Sequence, residues 1–120
     1  MVLSCNFAGY KVPEIVKTRQ VVIVSPNHLN RPGITTVVPL STTAPEVVQD
    51  YHYLLNGNPV PGDPATEVWA KCDMVAVVRR ERLDRIKLGR GNYVTGSVSM
   101  EQVRAIRRGV ARSLGIEFED

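Results

Sequence analysis

The 120-residue sequence predicts a mainly β fold: a small curled β-barrel closed by one C-terminal α-helix. Several short runs of β-branched residues are separated by Pro, Gly and Asn, which is typical of an antiparallel β domain. A clear helical repeat occurs only near the C-terminus. At 13.3 kDa, we expect residues 1–120 to form a single domain.

The strand candidates are short and separated by turn chemistry. They are residues 2–7, 19–25, 34–40, 50–55, 66–71 and 73–78. The segment 19–25 is nearly continuous in β-branched residues, which favours a central strand buried on both faces. Residues 50–55 could instead begin a helix after Pro45, and we favour the strand. Residues 79–88 predict a helical turn followed by a short strand.

The C-terminal helix has the strongest local pattern. Ser99 stands three residues before Gln102, the spacing of a capping box, and Gly115 offers a stop signal. Apolar residues recur at three- and four-residue intervals at Met100, Val103, Ile106, Val110 and Leu114. We expect the arginines of this helix to lie mostly on its solvent side, namely Arg104, Arg107, Arg108 and Arg112.

Composition bounds the class of protein. Hydrophobic residues make up 43% of the chain and charged residues 22%, which indicates a folded protein and not a disordered one. No apolar run approaches the roughly 20 residues that span a bilayer, and the N-terminus has no convincing signal peptide. Cys5 and Cys72 lack metal-ligand spacing, and we expect buried free thiols in a cytoplasmic protein.

The charge is distributed unevenly along the chain. Residues 71–112 contain eleven basic and four acidic residues, a local net charge of +7 within an overall charge of +3. Such a basic half would attract polyanions or an acidic partner. A solvated helix face that carries arginines for solubility explains the pattern equally well.

One candidate site emerges if residues 19–25 and 34–40 pair as an antiparallel hairpin. Arg19 and Ser41 then meet at one end of the sheet, with Lys17 close by. A guanidinium beside a hydroxyl suits phosphate binding and the stabilisation of developing negative charge. Alternatively, Arg19 pairs with Glu14. The hydroxyls of residues 41–43 could likewise serve only the turn backbone.

The chain resembles the MazF/PemK family of toxins from type II toxin–antitoxin systems. The segments that carry the resemblance are "CNF", "RQVVIVSP", "VVPLSTT", "WAKCDMVAVV", "RRERLDRI" and "SVSMEQVRAIRRGVARSLGI", in the family's order. They cover nearly the whole chain. The resemblance implies an SH3-like β-barrel, usually a homodimer. It also implies cleavage of single-stranded RNA at short sequences with no metal and no cofactor, and inhibition by a cognate antitoxin protein.

The resemblance also assigns residues. Arg19 takes the place of the family's catalytic arginine and Ser41 that of its threonine. The residues expected to contact RNA are Asn6, Glu14, Lys17, Thr42 and Lys71. Two departures stand out. Gln20 replaces the usual proline, and Asn6 replaces an aspartate of many members, so it cannot serve as a base.

The mechanism that this predicts is attack of the RNA 2′-hydroxyl on the adjacent phosphate, which leaves a 2′,3′-cyclic end. The general base stays open, with His52, Glu14 and His28 as candidates. Two other functions remain as alternatives. One is a non-catalytic gyrase inhibitor like the CcdB toxins, which would act through the C-terminal helix. The other is an RNA-binding barrel without catalysis.

Overall fold

The computed structural model describes residues 1–26, 29 and 31–117. Its elements are β1 (Val2–Cys5), β2 (Arg19–Ile23), β3 (Ile34–Ser41), β4 (His52–Leu54), β5 (Trp69–Lys71), β6 (Ala76–Arg79), β7 (Leu83–Asp84), β8 (Ile86–Gly89), β9 (Asn92–Val94) and α1 (Met100–Ser113). Short 3₁₀ turns lie at Cys72–Met74 and Arg80–Arg82. The predicted mainly β class with one C-terminal helix is confirmed.

The main sheet is entirely antiparallel and has the order β4-β5-β3-β2-β1-β7, with β6 also paired to β3. Strands β8 and β9 form a separate hairpin. Within the described residues this order does not return on itself, so closure into a barrel is not confirmed. Strand β3 has two partners, β6 along its first half and β5 at its end. The 3₁₀ turn Cys72–Met74 joins these two short partners on the same edge of β3.

Several strands are shorter than the sequence predicts. Strand β1 ends at Cys5, because the Asn6 side chain accepts a hydrogen bond from the Ala8 backbone N–H and begins a turn. Strand β2 ends at Ile23, and Ser25 Oγ accepts from the Thr36 backbone N–H just beyond it. The strand interpretation of residues 50–55 is confirmed over His52–Leu54.

The sheet buries side chains on both faces. The larger core has Val2, Val22, Val38, Leu40, Ala70 and Ile106 at its centre, and α1 packs against it. A smaller core on the other face contains Cys5, Phe7, Val21, Val37 and Val78, with Tyr10 and Ile15 of the 6–18 loop packed against it. Burial on both faces confirms the central position predicted for β2 and explains its continuous apolar sequence.

Helix α1 begins and ends largely as predicted. Ser99 Oγ accepts a hydrogen bond from the Gln102 backbone N–H at 3.1 Å, while the Gln102 side chain accepts from the Asn56 N–H. The reciprocal half of the capping box is therefore replaced by a tertiary contact. At the other end Gly115 has φ +83°, and the Ile116 N–H bonds the carbonyl of Ala111. This is a Schellman motif, for which glycine is the favoured residue.

One helix arginine differs from the expected solvent orientation. Arg107 is half-buried, and its Nε donates to the Val24 carbonyl at 2.6 Å. Residue 24 has just left β2 and its carbonyl would otherwise lack a sheet partner on this side, so the guanidinium joins α1 to the sheet.

Both cysteines are buried free thiols, as predicted. Burial raises the pKa of the Cys5 thiol, and it raises that of Cys72 to about 12, with the Asp73 charge adding to the effect. Across the part of the chain that the structure describes, no helix is long and apolar enough to cross a bilayer.

Candidate active site

The β2–β3 hairpin brings two predicted site residues to one end of the sheet. The strands are antiparallel with Val21 opposite Pro39, so Arg19 and Ser41 each lie two residues beyond that pair. The predicted hairpin is thus confirmed. Together they line a cleft of about 200 Å³. Its full lining is Thr18, Arg19, Gln20, Leu40, Ser41, Thr42 and Val68.

The backbone of Arg19 is fixed in the sheet, whereas its side chain is exposed to solvent. It pairs with Cys5, a fully buried residue of β1, which fixes its position in the sheet. Within residues 1–26, 29 and 31–117 its guanidinium forms no hydrogen bond or ion pair. The alternative pairing with Glu14 is not formed, and the Glu14 carboxylate accepts from the Lys11 backbone N–H at 3.0 Å. Five N–H donors in a planar fork are therefore available to an anion.

Ser41 ends β3 and turns the chain. Its hydroxyl accepts from the Thr43 N–H at 3.1 Å and donates to the Thr43 carbonyl at 3.2 Å. The Ser41 hydroxyl therefore does form the turn contacts that the alternative interpretation predicts. A hydroxyl has two acceptor lone pairs, however, so one acceptor position stays open, and its proton can rotate towards a ligand. Thr42 follows directly and also lines the cleft.

The other predicted RNA contacts lie outside the cleft lining. Asn6 follows β1 at the same end of the sheet, and its side-chain oxygen accepts from the Ala8 N–H. Glu14 and Lys17 are exposed in the 6–18 loop that leads into Arg19. Lys71 lies on β5 and pairs with His52 of β4, further from the sheet end.

Two of the three candidate bases, His52 and Glu14, lie within the described residues. His52 lies on β4, two strands and about 10 Å from β3, and two residues along from Leu54, which lies in line with Ser41 across the sheet. Its Nδ1 accepts from the Gln49 backbone N–H at 2.9 Å. Glu14 stays on the loop beside the cleft. His28 lies outside the described residues. Among the residues that are described, no three His, Cys, Asp or Glu side chains come together as potential metal ligands.

Sequence reasoning missed Arg82 as part of this end of the sheet. Its Nη1 donates to the carbonyls of Asn6 at 2.9 Å and Ala8 at 2.8 Å, and its guanidinium lies 5.2 Å from the centre of the Tyr10 ring. These contacts fix the loop after β1 next to Arg19. In the sequence Arg82 is one basic residue in a charged segment, and no local pattern indicates which carbonyls it will bind.

A second missed contact involves the residue that replaces the family proline. Gln20 Nε2 donates to Asp63 Oδ2 at 3.1 Å, and Asp63 Oδ1 accepts from the Ala65 N–H at 3.1 Å. The hydrogen bond from the Ala65 N–H has the larger effect and that from Gln20 a smaller one, and together they hold the pKa of Asp63 below its usual range. The loop around Asp63 is thereby attached to the strand residue next to Arg19.

This lowered pKa predicts a specific pH dependence of stability. A carboxylate whose pKa is depressed by folding stabilises the fold above its unfolded pKa of about 3.9, and this contribution is lost as the pH falls through the folded value. We expect the urea midpoint of the wild type to fall more steeply below about pH 4 than that of Asp63→Asn. Glu46→Gln, at an exposed carboxylate of the 42–51 loop, is the control and should keep the wild-type slope. Parallel curves for Asp63→Asn and the wild type would contradict the prediction.

Known proteins match this chain along nearly its full length. The model of the PemK-like, MazF-like toxins of type II toxin–antitoxin systems matches residues 1–114. The Escherichia coli (strain K12) protein YifN is 31% identical over 134 residues, which cover 94% of this chain and 88% of that protein.

Solved structures share the fold at lower identity. An endoribonuclease in complex with its cognate antitoxin from a mycobacterial species is 23% identical, with a TM-score of 0.65 over 98% of this chain and 94% of that one. MazF-mt6 of Mycobacterium tuberculosis is 13% identical, with a TM-score of 0.66 over 98% and 100% of the two chains. MazF from Deinococcus radiodurans is 14% identical and has a TM-score of 0.68 over 96% and 93%. The chain therefore belongs to the PemK-like, MazF-like toxin family of type II toxin–antitoxin systems.

Proposed function

We propose that this toxin is a sequence-specific endoribonuclease that cleaves single-stranded RNA, including mRNA, in the cytoplasm without a metal ion. The observation that carries the proposal is the cleft lined by both Arg19 and Ser41. A free guanidinium and a hydroxyl on adjacent strands of a buried sheet form a rigid site for one phosphodiester. Family membership and the endoribonuclease named among the structural neighbours support the same reaction.

The chemistry uses the RNA's own nucleophile. The 2′-oxygen attacks the adjacent phosphorus while the bond to the 5′-oxygen breaks, which gives a 2′,3′-cyclic phosphate and a 5′-hydroxyl end. The 2′-proton leaves and the 5′-oxygen gains one. Arg19 holds two non-bridging oxygens and stabilises the extra negative charge of the transition state. Ser41 accepts from the 2′-hydroxyl or donates to the phosphate and so orients the attack.

Proton transfer requires a group near the cleft that can accept the 2′-proton. Asn6 cannot accept a proton, and His52 is two strands away from the cleft. Glu14 is the remaining described candidate, and it reaches the scissile phosphate only if the 6–18 loop closes over RNA. Positioning and charge stabilisation by Arg19 and Ser41 supply most of the rate in this proposal.

The proposed assembly is a homodimer of SH3-like barrels that binds a cognate antitoxin. A groove of about 800 Å³ supports self-association, because apolar side chains contribute much of its lining. They include Met1, Leu3, Ile23, Leu83, Met100 and Val103. The net charge of +7 over residues 71–112 suits an acidic segment of the antitoxin.

Two non-catalytic functions make different predictions. A gyrase inhibitor acting through α1 would not need Arg19 and Ser41 on one cleft. An RNA-binding barrel would bind RNA with a steep salt dependence and leave it intact. The shared cleft therefore favours the nuclease over both.

The test is cleavage of a long single-stranded RNA in EDTA. The wild type should cut at a short recurring sequence and leave 2′,3′-cyclic ends. A folded wild-type protein that leaves RNA intact under these conditions would show that the proposed activity is wrong.

Ser41→Ala should cut the same RNA about tenfold more slowly, the effect of losing one hydrogen bond of about 1.4 kcal/mol. Ser41→Thr keeps the hydroxyl and is the matched control, expected to retain most of the activity. Equal rates for Ser41→Ala and the wild type would remove Ser41 from the mechanism. Thermal unfolding of each variant excludes a loss of folded protein.

A further inference from the structure

The hairpin of β8 and β9 has one apolar and one basic face. On the inner face Ile86 is buried in the larger core, and Leu88 and Val94 pack against it. The outer face carries Arg85, Lys87 and Tyr93, all of which are exposed. Residues 85–94 contain three basic and no acidic residues. Strand β9 (Asn92–Val94) was not among the strands predicted from the sequence.

The outer face is ordered by contacts within the hairpin. Lys87 pairs directly with Tyr93 across the strands. The Arg85 guanidinium lies 5.2 Å from the centre of the Tyr93 ring, and that ring remains 44% exposed. The bases and the aromatic ring are therefore held together on one surface, so binding a ligand there costs less side-chain entropy.

The charge of this face is not neutralised locally. Neither Lys87 nor Arg90 forms an ion pair within the part of the chain that is described. The nearest acid along the chain, Asp84, is exposed and accepts a hydrogen bond from the Arg85 backbone N–H at 2.7 Å. Basic side chains without acidic partners around an exposed aromatic ring suit a single nucleic acid strand. The phosphates would contact the basic side chains, and one nucleobase would stack on the ring.

The hairpin lies close to the cleft but outside it. Leu83 of β7 pairs with Cys5, and Cys5 pairs with Arg19. Leu83 therefore lies two strand spacings, about 10 Å in total, from Arg19. Arg85 follows two residues later, about 7 Å further along the chain. RNA that leaves the cleft on the β1 side would meet this face within a few nucleotides.

We propose that the outer face of the β8–β9 hairpin, formed by Arg85, Lys87 and Tyr93 with Arg90 in the adjoining turn, is a second contact surface for single-stranded RNA beyond the cleavage cleft. It binds the RNA flanking the cut without reading the cleaved phosphate. The proposal rests on the proposed ribonuclease function for its substrate. It adds a contact that makes long RNA a better substrate than a short oligonucleotide.

The experiment compares RNA binding and cleavage for two lengths of RNA that share one cut site. One is a short oligonucleotide with little more than the site, and the other extends on both sides. The tested variant is the double substitution Arg85→Ala/Lys87→Ala, and Tyr93→Ala is a second variant that leaves the charge unchanged. The matched control is Arg31→Ala/Arg104→Ala, which removes two exposed bases elsewhere. All three keep the buried inner face of the hairpin.

The hairpin variants should be impaired on the long RNA and not on the short oligonucleotide. For long RNA, Arg85→Ala/Lys87→Ala should weaken binding about tenfold or more, and the slope of log affinity against log salt should become shallower by about 1.4. Tyr93→Ala should weaken binding of long RNA with an unchanged salt slope. Cleavage of the short oligonucleotide should equal that of the wild type, and the control should behave as the wild type on both.

Other outcomes would refute either the RNA surface or the nuclease activity, and they distinguish between the two. If the hairpin variant and the control bind long RNA equally, the hairpin is not an RNA surface. If the hairpin variant loses affinity only for an acidic polyglutamate peptide, the face serves a protein partner and the RNA proposal is wrong. Hairpin-dependent binding of long RNA by a wild type that cuts neither substrate would support this surface and refute the nuclease.

Discussion

Replacing Arg19 by alanine should lower the rate of RNA cleavage by about 10²–10³-fold, the effect of removing one preorganised donor to a developing oxyanion. The guanidinium has no protein partner in the described structure, so its role is directed at a ligand. Because it is exposed, its loss should leave the unfolding temperature nearly unchanged. A single-turnover cleavage assay in EDTA together with a thermal melt measures both quantities.

The control for this result is Arg19→Lys. Lysine keeps the positive charge and loses the planar fork, so it should restore RNA binding more than the rate of cleavage. Arg104→Ala, an exposed arginine on α1, should cut as fast as the wild type. If Arg19→Ala cuts RNA at the wild-type rate while remaining folded, Arg19 has no catalytic role and the cleft is not the active site.

Gly109→Ala should destabilise the protein by about 1–3 kcal/mol, although the same change in an exposed helix would stabilise it by about 1 kcal/mol. Gly109 is buried where α1 crosses the 3₁₀ turn Cys72–Met74 and the residues before β4. A Cβ there would lie 2.6 Å from Cys72 Sγ and 2.8 Å from the Tyr51 carbonyl oxygen. The carbonyl belongs to the backbone, so the helix must shift to make room.

Urea unfolding measures this effect, and its sign is decisive. Cys72→Ala removes the sulfur contact, so Gly109→Ala should cost less in the Cys72→Ala background than in the wild type. The remaining cost comes from the Tyr51 carbonyl and from the Cβ of residue 72, which alanine keeps 3.1 Å from the added atom. If Gly109→Ala stabilises the protein, α1 is not packed this closely.

Much of the fold was predictable because local chemistry and burial agree. The continuous β-branched sequence of residues 19–25 reports burial on both faces, and two separate cores do cover β2. Ser99 and Gly115 define the ends of α1 by short-range hydrogen bonds that need no tertiary information. The hairpin that pairs β2 with β3 follows from the turn residues between them.

The misses are residues whose partners are distant in sequence. Arg82 binds carbonyls 74 and 76 positions away, and Gln20 binds Asp63 at a separation of 43. Arg107 joins Val24 across 83 positions and leaves the solvent face predicted for it. Backbone carbonyls have the same chemistry at every residue, so no sequence pattern indicates which of them a guanidinium will reach.

The sequence by itself therefore determined the mainly β class, the helix and the toxin family, and it placed Arg19 and Ser41 at the ends of adjacent strands. Each of these depends on local propensity or on motifs within a few residues. The tertiary structure alone decided that β5 and β6 share one edge of β3. It also decided that Arg82 bonds the carbonyls of Asn6 and Ala8, and that the β8–β9 hairpin has a basic outer face. Those outcomes depend on how short elements pack against a common core, and packing joins residues without regard to their separation in the chain.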